Sequence, residues 1–240
     1  MARLATYVIP DSSTPLYQLG SAIIGWDIFA ERDITVPAEL KVVAANLPGW
    51  VGPARAFGFH ATVGDALDYP QQSESVIEQH LALIASQTTP FVLTNGRIHT
   101  SFRSVPRCLA ATFTSPNRTV SQLEERDVTS INVLHEGSPW FGDFQEHFNP
   151  LQGEQFRLFG SPNVRSLFDL HFTLASAIPD AETWHRLYNL ICNDLGLLGS
   201  EDQRTIAVDR IHLVEERADG RYRVRRSFPL TGTVKGSGIV

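Results

Sequence analysis

The stretches Phe59-His60-Ala61-Thr62-Val63 and Leu170-His171-Phe172-Thr173-Leu174 repeat one short pattern at two distant places in the chain. Each pattern is typical of a β-strand in which apolar residues alternate with a histidine and a threonine. The apolar positions predict a face that packs beneath helices. The histidine and threonine of each strand share the opposite face, so the two polar pairs are free to face each other across a cleft.

Around these two motifs, short apolar strands alternate with amphipathic helices in two rounds. The pattern predicts an α+β fold that is bilobal, with two similar lobes of antiparallel sheet and outer helices around a central cleft. We expect a single domain over residues 1–240, with lobes mixed from both halves of the chain and residues 135–164 as a connection or cap. The predicted strands are Leu4–Ile9, Phe57–Leu67, Phe91–Phe102, Cys108–Thr114, Leu167–Ala177, Thr205–Glu215 and Arg221–Phe228, and the main predicted helices are Ser73–Gln87, Asn117–Leu134 and one that begins at Asp180.

Composition and charge exclude several classes of protein. Hydrophobic residues make up 42% of the 240-residue chain, which excludes a disordered polypeptide. The formal net charge is −6, whereas proteins that bind long DNA mainly through phosphates carry an excess of cations, so we expect no long DNA partner. No apolar run is long enough for a membrane span. Cys108 and Cys192 have no metal-ligand spacing, and so few cysteines predict a reducing, cytoplasmic setting.

The repetition of the motif matters more than either copy alone. With eight histidines in the chain, chance gives about 0.6 matches to His-x-Thr, so a single match has no weight. Two matches, each inside an apolar strand, are rarer. The alternative for either histidine is a hydrogen-bonded structural residue in a partly buried sheet.

The residue types of the motif suit the chemistry of phosphodiester cleavage. Imidazole titrates near neutral pH, so His60 and His171 can act as general base and general acid, although the sequence does not distinguish the two roles. The hydroxyl groups of Thr62 and Thr173 can hydrogen-bond the non-bridging phosphate oxygens and stabilise the charge of the transition state. Such a site requires neither a metal ion nor another cofactor.

The paired His-x-Thr motifs resemble those of the two-histidine (2H) phosphoesterase superfamily, which includes LigT-like proteins and cyclic nucleotide phosphodiesterases. The resemblance implies a bilobal LigT-like fold, with His60, Thr62, His171 and Thr173 as the catalytic residues. It also implies metal-independent hydrolysis of a cyclic phosphate, such as a 2′,3′-cyclic nucleotide or a ribose cyclic phosphate, or of a small phosphodiester.

A narrower resemblance extends beyond the motifs. Leu19-Gly20-Ser21-Ala22, Gly25-Trp26-Asp27 and Phe57-Gly58-Phe59 are similar to an uncharacterised bacterial branch of the superfamily that is often encoded beside phosphonate-utilisation genes. In that branch a lysine commonly follows the first motif, where this chain has Gly64-Asp65. The replacement of a cation by an acid predicts a change in substrate or affinity.

Other residues are secondary candidates for substrate binding. Arg55 and Arg103 are close enough in sequence to the predicted strands to reach a phosphate, and Tyr7 and Trp26 could stack on a base. The alternatives are solvated surface arginines and aromatic residues of the core. His135-Glu136 and Glu146-His147 match no zinc-helix spacing, so we predict no metal site.

Taken together, the sequence predicts an enzyme with a small phosphorylated substrate, a nucleotide or an RNA end as its partner, and with no membrane partner. One alternative is a non-catalytic module that binds a nucleotide or RNA end in the same cleft. Another is a metal hydrolase built on residues 135–147. Hydrolysis and ligation are not distinguished by the sequence.

Overall fold

The computed structural model describes residues 1–43, 47–102, 105–138, 141–176 and 178–233. Its strands are β1 (Ala2–Val8), β2 (Trp26–Asp27), β3 (Arg32–Asp33), β4 (Ala61–Tyr69), β5 (Phe91–Phe102), β6 (Val105–Thr114), β7 (His171–Ala175), β8 (Ile206–Val208), β9 (Arg210–Glu216) and β10 (Tyr222–Pro229). Its α-helices are α1 (Pro15–Ile24), α2 (Leu47–Arg55), α3 (Glu74–Gln87), α4 (Thr119–Ser130), α5 (Pro150–Phe159) and α6 (Ala181–Asn189).

Eight of these strands form one sheet in the order β10-β9-β1-β4-β7-β6-β5-β8, and every pairing is antiparallel. The predicted α+β class with an antiparallel sheet and outer helices is confirmed. Strands β4 and β7 adjoin at the centre of this order, so the sheet divides there into two halves of similar make-up. Within the described ranges, no helix combines the length and the apolar character needed to cross a membrane.

The sheet curls so that its two ends approach each other. Strands β8 and β9 are separated in the chain by Asp209 alone, yet β8 pairs with β5 at one edge while β9 lies between β1 and β10 near the other edge. The prediction of one strand over Thr205–Glu215 is therefore wrong. The chain leaves one edge at Asp209 and joins the other, and a single continuous strand could not pair with both.

The helices follow from their apolar stripes and end signals. Ile77, Leu81 and Ile84 of α3 are buried, as the spacing predicts for a helix over Ser73–Gln87. Residues 135–164, predicted as a connection, contain the additional helix α5. Asn149 and Gln152 form a reciprocal capping box, which satisfies backbone N–H donors at the start of α5. The helix was not predicted because this segment is rich in glycine and proline.

Aromatic side chains pack behind the two motifs and join the halves of the sheet. Phe59 and Phe172 are fully buried, and their ring centroids lie 5.2 Å apart. Phe113 of β6 meets Phe172 edge to face, with 5.5 Å between the ring centroids. Helix α1 approaches so closely that a Cβ at Gly20 would lie 2.7 Å from atoms of the Phe59 ring. This contact requires glycine, and it fixes α1 against the strand that carries His60.

A carboxyl group is buried between α4 and β4. Asp127 is 1% exposed, and neither of its carboxyl oxygens has a geometrically acceptable hydrogen-bond partner in the described part of the chain. Gly64 of β4 faces it, and any side chain there would collide with Asp127 Oδ1. The pKa of Asp127 is raised to about 7, mainly by burial. The Thr6 side chain lowers this pKa, and the nearby charge of Asp65 contributes to raising it.

We expect Asp127→Asn to change how stability depends on pH. A raised carboxyl pKa means that the folded state holds its proton more tightly than the unfolded chain, so this stability is present at low pH and is lost as pH rises towards about 7. The isosteric amide does not titrate. The free energy of unfolding of the variant, relative to that of wild type, should therefore rise by about 2–3 kcal/mol between pH 5 and pH 8. Urea unfolding at the two pH values measures this difference.

Asp194→Asn, at an exposed position, is the matched control and should leave the pH dependence unchanged. If Asp127→Asn and wild type kept the same difference in stability at both pH values, Asp127 would not carry the shifted proton.

Candidate active site

The two motifs occupy the central pair of strands. His60 directly precedes β4, and His171 is the first residue of β7. The predicted alternation of faces is present in both strands. The buried residues are Phe59, Ala61, Val63, Phe172 and Leu174, and the partly exposed ones are His60, Thr62, His171 and Thr173.

The pairing of β4 with β7 brings the motifs together. Ala61 lies opposite Phe172 in an antiparallel register. Continued by one residue in each direction, this register sets Thr62 beside His171 and His60 beside Thr173. Each histidine therefore has a threonine of the other motif next to it, in addition to the one two positions along its own strand. The four predicted residues form one cross-strand cluster.

Both imidazole rings are oriented by the same backbone interaction. His60 Nδ1 lies 3.0 Å from the carbonyl oxygen of Gly58, and His171 Nδ1 lies 2.9 Å from that of Asp169. A carbonyl oxygen only accepts hydrogen bonds, so each Nδ1 carries the proton and donates it. In a neutral ring this leaves Nε2 as the acceptor, the nitrogen farther from the backbone. His60 Nε2 lies 3.2 Å from Thr62 Oγ1, which donates to it in this tautomer.

The backbone conformation at position 58 requires a glycine. Its φ is +74°, in the left-handed region that favours glycine, and a Cβ there would lie 2.9 Å from Cβ of Ile28. The unusual turn directs the Gly58 carbonyl towards His60. The role of this glycine in orienting His60 was not predicted from the sequence. The signal was available, since a glycine two residues before a candidate catalytic histidine suggests a special backbone conformation.

Tyr7 of β1 covers one face of the His60 ring. The two rings are stacked, with 3.7 Å between centroids and an interplanar angle of 18°, and Phe57 lies 6.1 Å from His60 on the same measure. Burial lowers the pKa of His60 to about 4, the hydrogen bond to Gly58 opposes this shift, and the charge of His171 adds to it. His60 is therefore neutral at neutral pH, in the form that accepts a proton.

The secondary candidates lie in other environments. Tyr7 is 2% exposed, and Trp26 is 1% exposed and donates from Nε1 to the carbonyl oxygen of Tyr222. Neither ring face is open for a base, so the structure corrects the expectation of base stacking and supports the alternative of core residues. Arg55 forms an ion pair with Asp33 at 2.7 Å rather than pointing an unpaired charge at the motifs. Arg103 lies outside the described residues.

The histidines proposed as possible metal ligands are engaged elsewhere. His135 Nδ1 lies 2.6 Å from the carbonyl oxygen of Asn132, and exposed His147 lies 3.5 Å from the neighbouring carboxylate of Glu146. Across the ranges that the structure describes, no three His, Cys, Asp or Glu side chains are grouped as metal ligands.

Asp65, which follows the first motif, contacts residues away from the motif cluster. Its carboxylate accepts a hydrogen bond from the hydroxyl of Ser161, and it lines the same buried space as Asp127 and Thr6. Since Thr6 and Tyr7 are successive residues of β1, their side chains point to opposite faces of the sheet. Asp65 therefore belongs with the group behind the sheet, whereas Tyr7 lies with His60.

No family model matches the chain. In sequence it is 24% identical over 181 residues to a protein from Laribacter hongkongensis named ribose 1,5-bisphosphate phosphokinase PhnN. That match covers 75% of this chain and 41% of the relative, so the chain spans about two fifths of the length of the curated relative that it matches.

Solved structures that align with this chain include TT0787 of Thermus thermophilus, with 17% identity and a TM-score of 0.49. They also include E. coli LigT complexed with 3′-AMP, with 16% identity and a TM-score of 0.43. In both comparisons the alignment covers 96% of this chain and 98% of the other. LigT is thus among the solved structures that align with this chain.

We expect the imidazole of His60 to titrate at about pH 4, because its burial disfavours the charged ring. Histidine-selective NMR at stepwise lower pH measures this, with the signal assigned by its loss in His60→Gln. In Tyr7→Ala the His60 imidazole loses the stacked tyrosine ring and becomes more exposed to water, so the pKa of His60 should move back towards 6.5. A His60 signal that titrates near its ordinary value in wild type would contradict the buried, stacked geometry.

Proposed function

We propose that this protein is a metal-independent phosphoesterase that hydrolyses a cyclic phosphate or a small phosphodiester by general acid–base catalysis at His60 and His171. The observation that carries the proposal is the cross-strand cluster. Two His-x-Thr motifs lie on directly paired strands, and the Nδ1 of each histidine is fixed by a carbonyl oxygen two residues earlier. A purely structural role would not require both rings to bind the backbone through Nδ1 and to keep Nε2 available on the same face of the sheet.

The roles in the reaction follow from protonation. His60 is neutral because burial lowers its pKa to about 4, so its Nε2 is available as the base. It takes a proton from water, the water oxygen bonds to phosphorus, and the bond from phosphorus to the leaving oxygen breaks. His171 enters this step as an imidazolium, with a proton on each ring nitrogen, and donates the Nε2 proton to that leaving oxygen. The product is a phosphate monoester when the substrate is a cyclic phosphate, and solvent exchange then restores both histidines.

The threonines complete the proposed site. Thr62 and Thr173 are partly exposed on the same face as the histidines, and a hydroxyl can donate to a non-bridging phosphate oxygen. Thr62 Oγ1 lies 3.2 Å from His60 Nε2. A bound phosphate would take over this hydroxyl as donor and release Nε2 for the attacking water. Thr62 would then link phosphate binding to the availability of the base.

The substrate class is proposed from the site and from the neighbours. A 2′,3′-cyclic nucleotide or a ribose cyclic phosphate fits the chemistry, and LigT has been crystallised with 3′-AMP. The name of the PhnN relative concerns a ribose phosphate, which supports including ribose phosphates in the substrate panel. The sequence contains no P-loop pattern, the phosphate-binding motif of many kinases. Cys108 and Cys192 are free thiols, which supports a cytoplasmic setting.

We expect wild type to hydrolyse at least one member of a panel of 2′,3′-cyclic nucleotides and ribose cyclic phosphates in the presence of EDTA. His60→Ala and His171→Ala should each lower kcat by about 10²–10⁴, because each removes one proton-transfer group. His185→Ala, at an exposed position on α6, is the control and should retain wild-type turnover. Wild-type rates in either motif variant would exclude the mechanism.

Calorimetry on the same compounds separates catalysis from the alternative of a binding module. Binding without product formation, lost in His60→Ala, would favour that module over the phosphoesterase.

The pH profile offers a further test. Because the base must be unprotonated and the pKa of His60 is lowered to about 4, the acidic limb of kcat/KM should fall well below the ordinary histidine range. In Tyr7→Ala this limb should move to higher pH as the imidazole regains solvent. An acidic limb at the ordinary histidine value, unmoved by Tyr7→Ala, would show that His60 is not the base.

A further inference from the structure

A groove on the outside of the protein is formed by α4, α5 and the segment 165–168, and we call it the α4–α5 groove. Its volume is about 530 Å³, within the range of small-molecule sites. The groove is separate from the motif cluster, since none of the four motif residues lines it. Segment 165–168 nevertheless lies just before Asp169, whose carbonyl oxygen orients His171.

Two of the residues that line this groove carry a buried acceptor atom. Glu124 is 1% exposed and Gln155 is 5% exposed, and both line the groove. Glu124 Oε2 and Gln155 Oε1 have no hydrogen-bond partner within the described ranges. The other carboxylate oxygen, Glu124 Oε1, accepts from the backbone N–H of Arg165 at 2.8 Å. Buried acceptors are normally paired, so each of these two oxygens lacks a donor.

The other residues that line the groove include apolar and charged side chains. Leu151 and Leu158 are 42% and 43% exposed, and with Phe168 they give the groove apolar walls. Two arginines also line it, but neither donates to the two buried oxygens. Arg165 is directed instead to Glu125, with 3.5 Å between Nη2 and Oε1.

We propose that the α4–α5 groove binds a small amphipathic amine, whose ammonium group donates to Glu124 Oε2 and Gln155 Oε1 while its apolar part packs against Leu151, Leu158 and Phe168. The ammonium group offers three donors and no acceptor, which matches two unpaired acceptors, one of them a carboxylate. Burial raises the pKa of Glu124 to about 7, so an ammonium ion that stabilises the carboxylate would gain a charged partner out of water. The proposal does not depend on the phosphoesterase activity.

Phenethylamine and its near-isostere 2-phenylethanol test the proposal. Calorimetric titration of the full chain at about pH 7.5 should show saturable binding of phenethylamine, with 2-phenylethanol at least about tenfold weaker. NMR shift changes on adding the amine should be centred on α4, α5 and Ser166. Glu124→Gln should weaken the amine about tenfold or more and leave the alcohol unchanged.

Glu182→Gln, at an exposed position of α6, is the matched control and should bind the amine as wild type does. Gln155→Leu removes the second acceptor and should also weaken the amine, and thermal melting establishes that each variant is folded. Equal affinity for amine and alcohol, absence of saturable amine binding, or equal amine binding by folded Glu124→Gln would each overturn the proposal. None of these results bears on hydrolysis at His60 and His171.

Discussion

The pairing of Ala61 with Phe172 is the contact on which the arrangement of this protein depends. It pairs β4 with β7, so it joins the two halves of the sheet. The Phe59–Phe172 contact, with 5.2 Å between ring centroids, supports the pairing from behind. The same pairing decides which side chains meet in front. A slip of one residue would turn one motif to the opposite face and bury its histidine and threonine in the core.

Burial sets the protonation of groups on both sides of this sheet, and it acts in opposite directions. In front, burial of a base lowers the pKa of His60, so the ring stays neutral. Behind, burial of acids raises the pKa of Asp127 and of Glu124, so these carboxyl groups are neutral over more of the pH range. Each shift favours the uncharged form, which is what a poorly hydrated environment requires. Rising pH therefore favours the fold through His60 and weakens it through Asp127.

The sequence predicts the parts of this structure that depend on local periodicity. Alternation with period two placed His60 and Thr62 on one face, and the stripe of α3 was predicted from a period near 3.6. What local patterns do not contain is where the chain goes next. The apolar run through Asp209 looks like one strand because both of its parts are strands, and only the pairing partners separate them. The stacking of Tyr7 on His60 arises from neighbours 53 positions apart in sequence and therefore has no local signal.

The pairing of β1 with β9, two strands far apart in the chain, affects how the protein folds during synthesis. Strand β1 is translated well before β9, yet it lies between β4 and β9 in the sheet. A nascent chain therefore holds an unpaired strand edge until β9 has left the ribosome. Closing such a long loop is entropically costly, so assembly of the curled sheet should be slow for a domain of this size. Strands β9 and β10, which are translated after the other described strands, complete the half of the sheet to which His60 belongs.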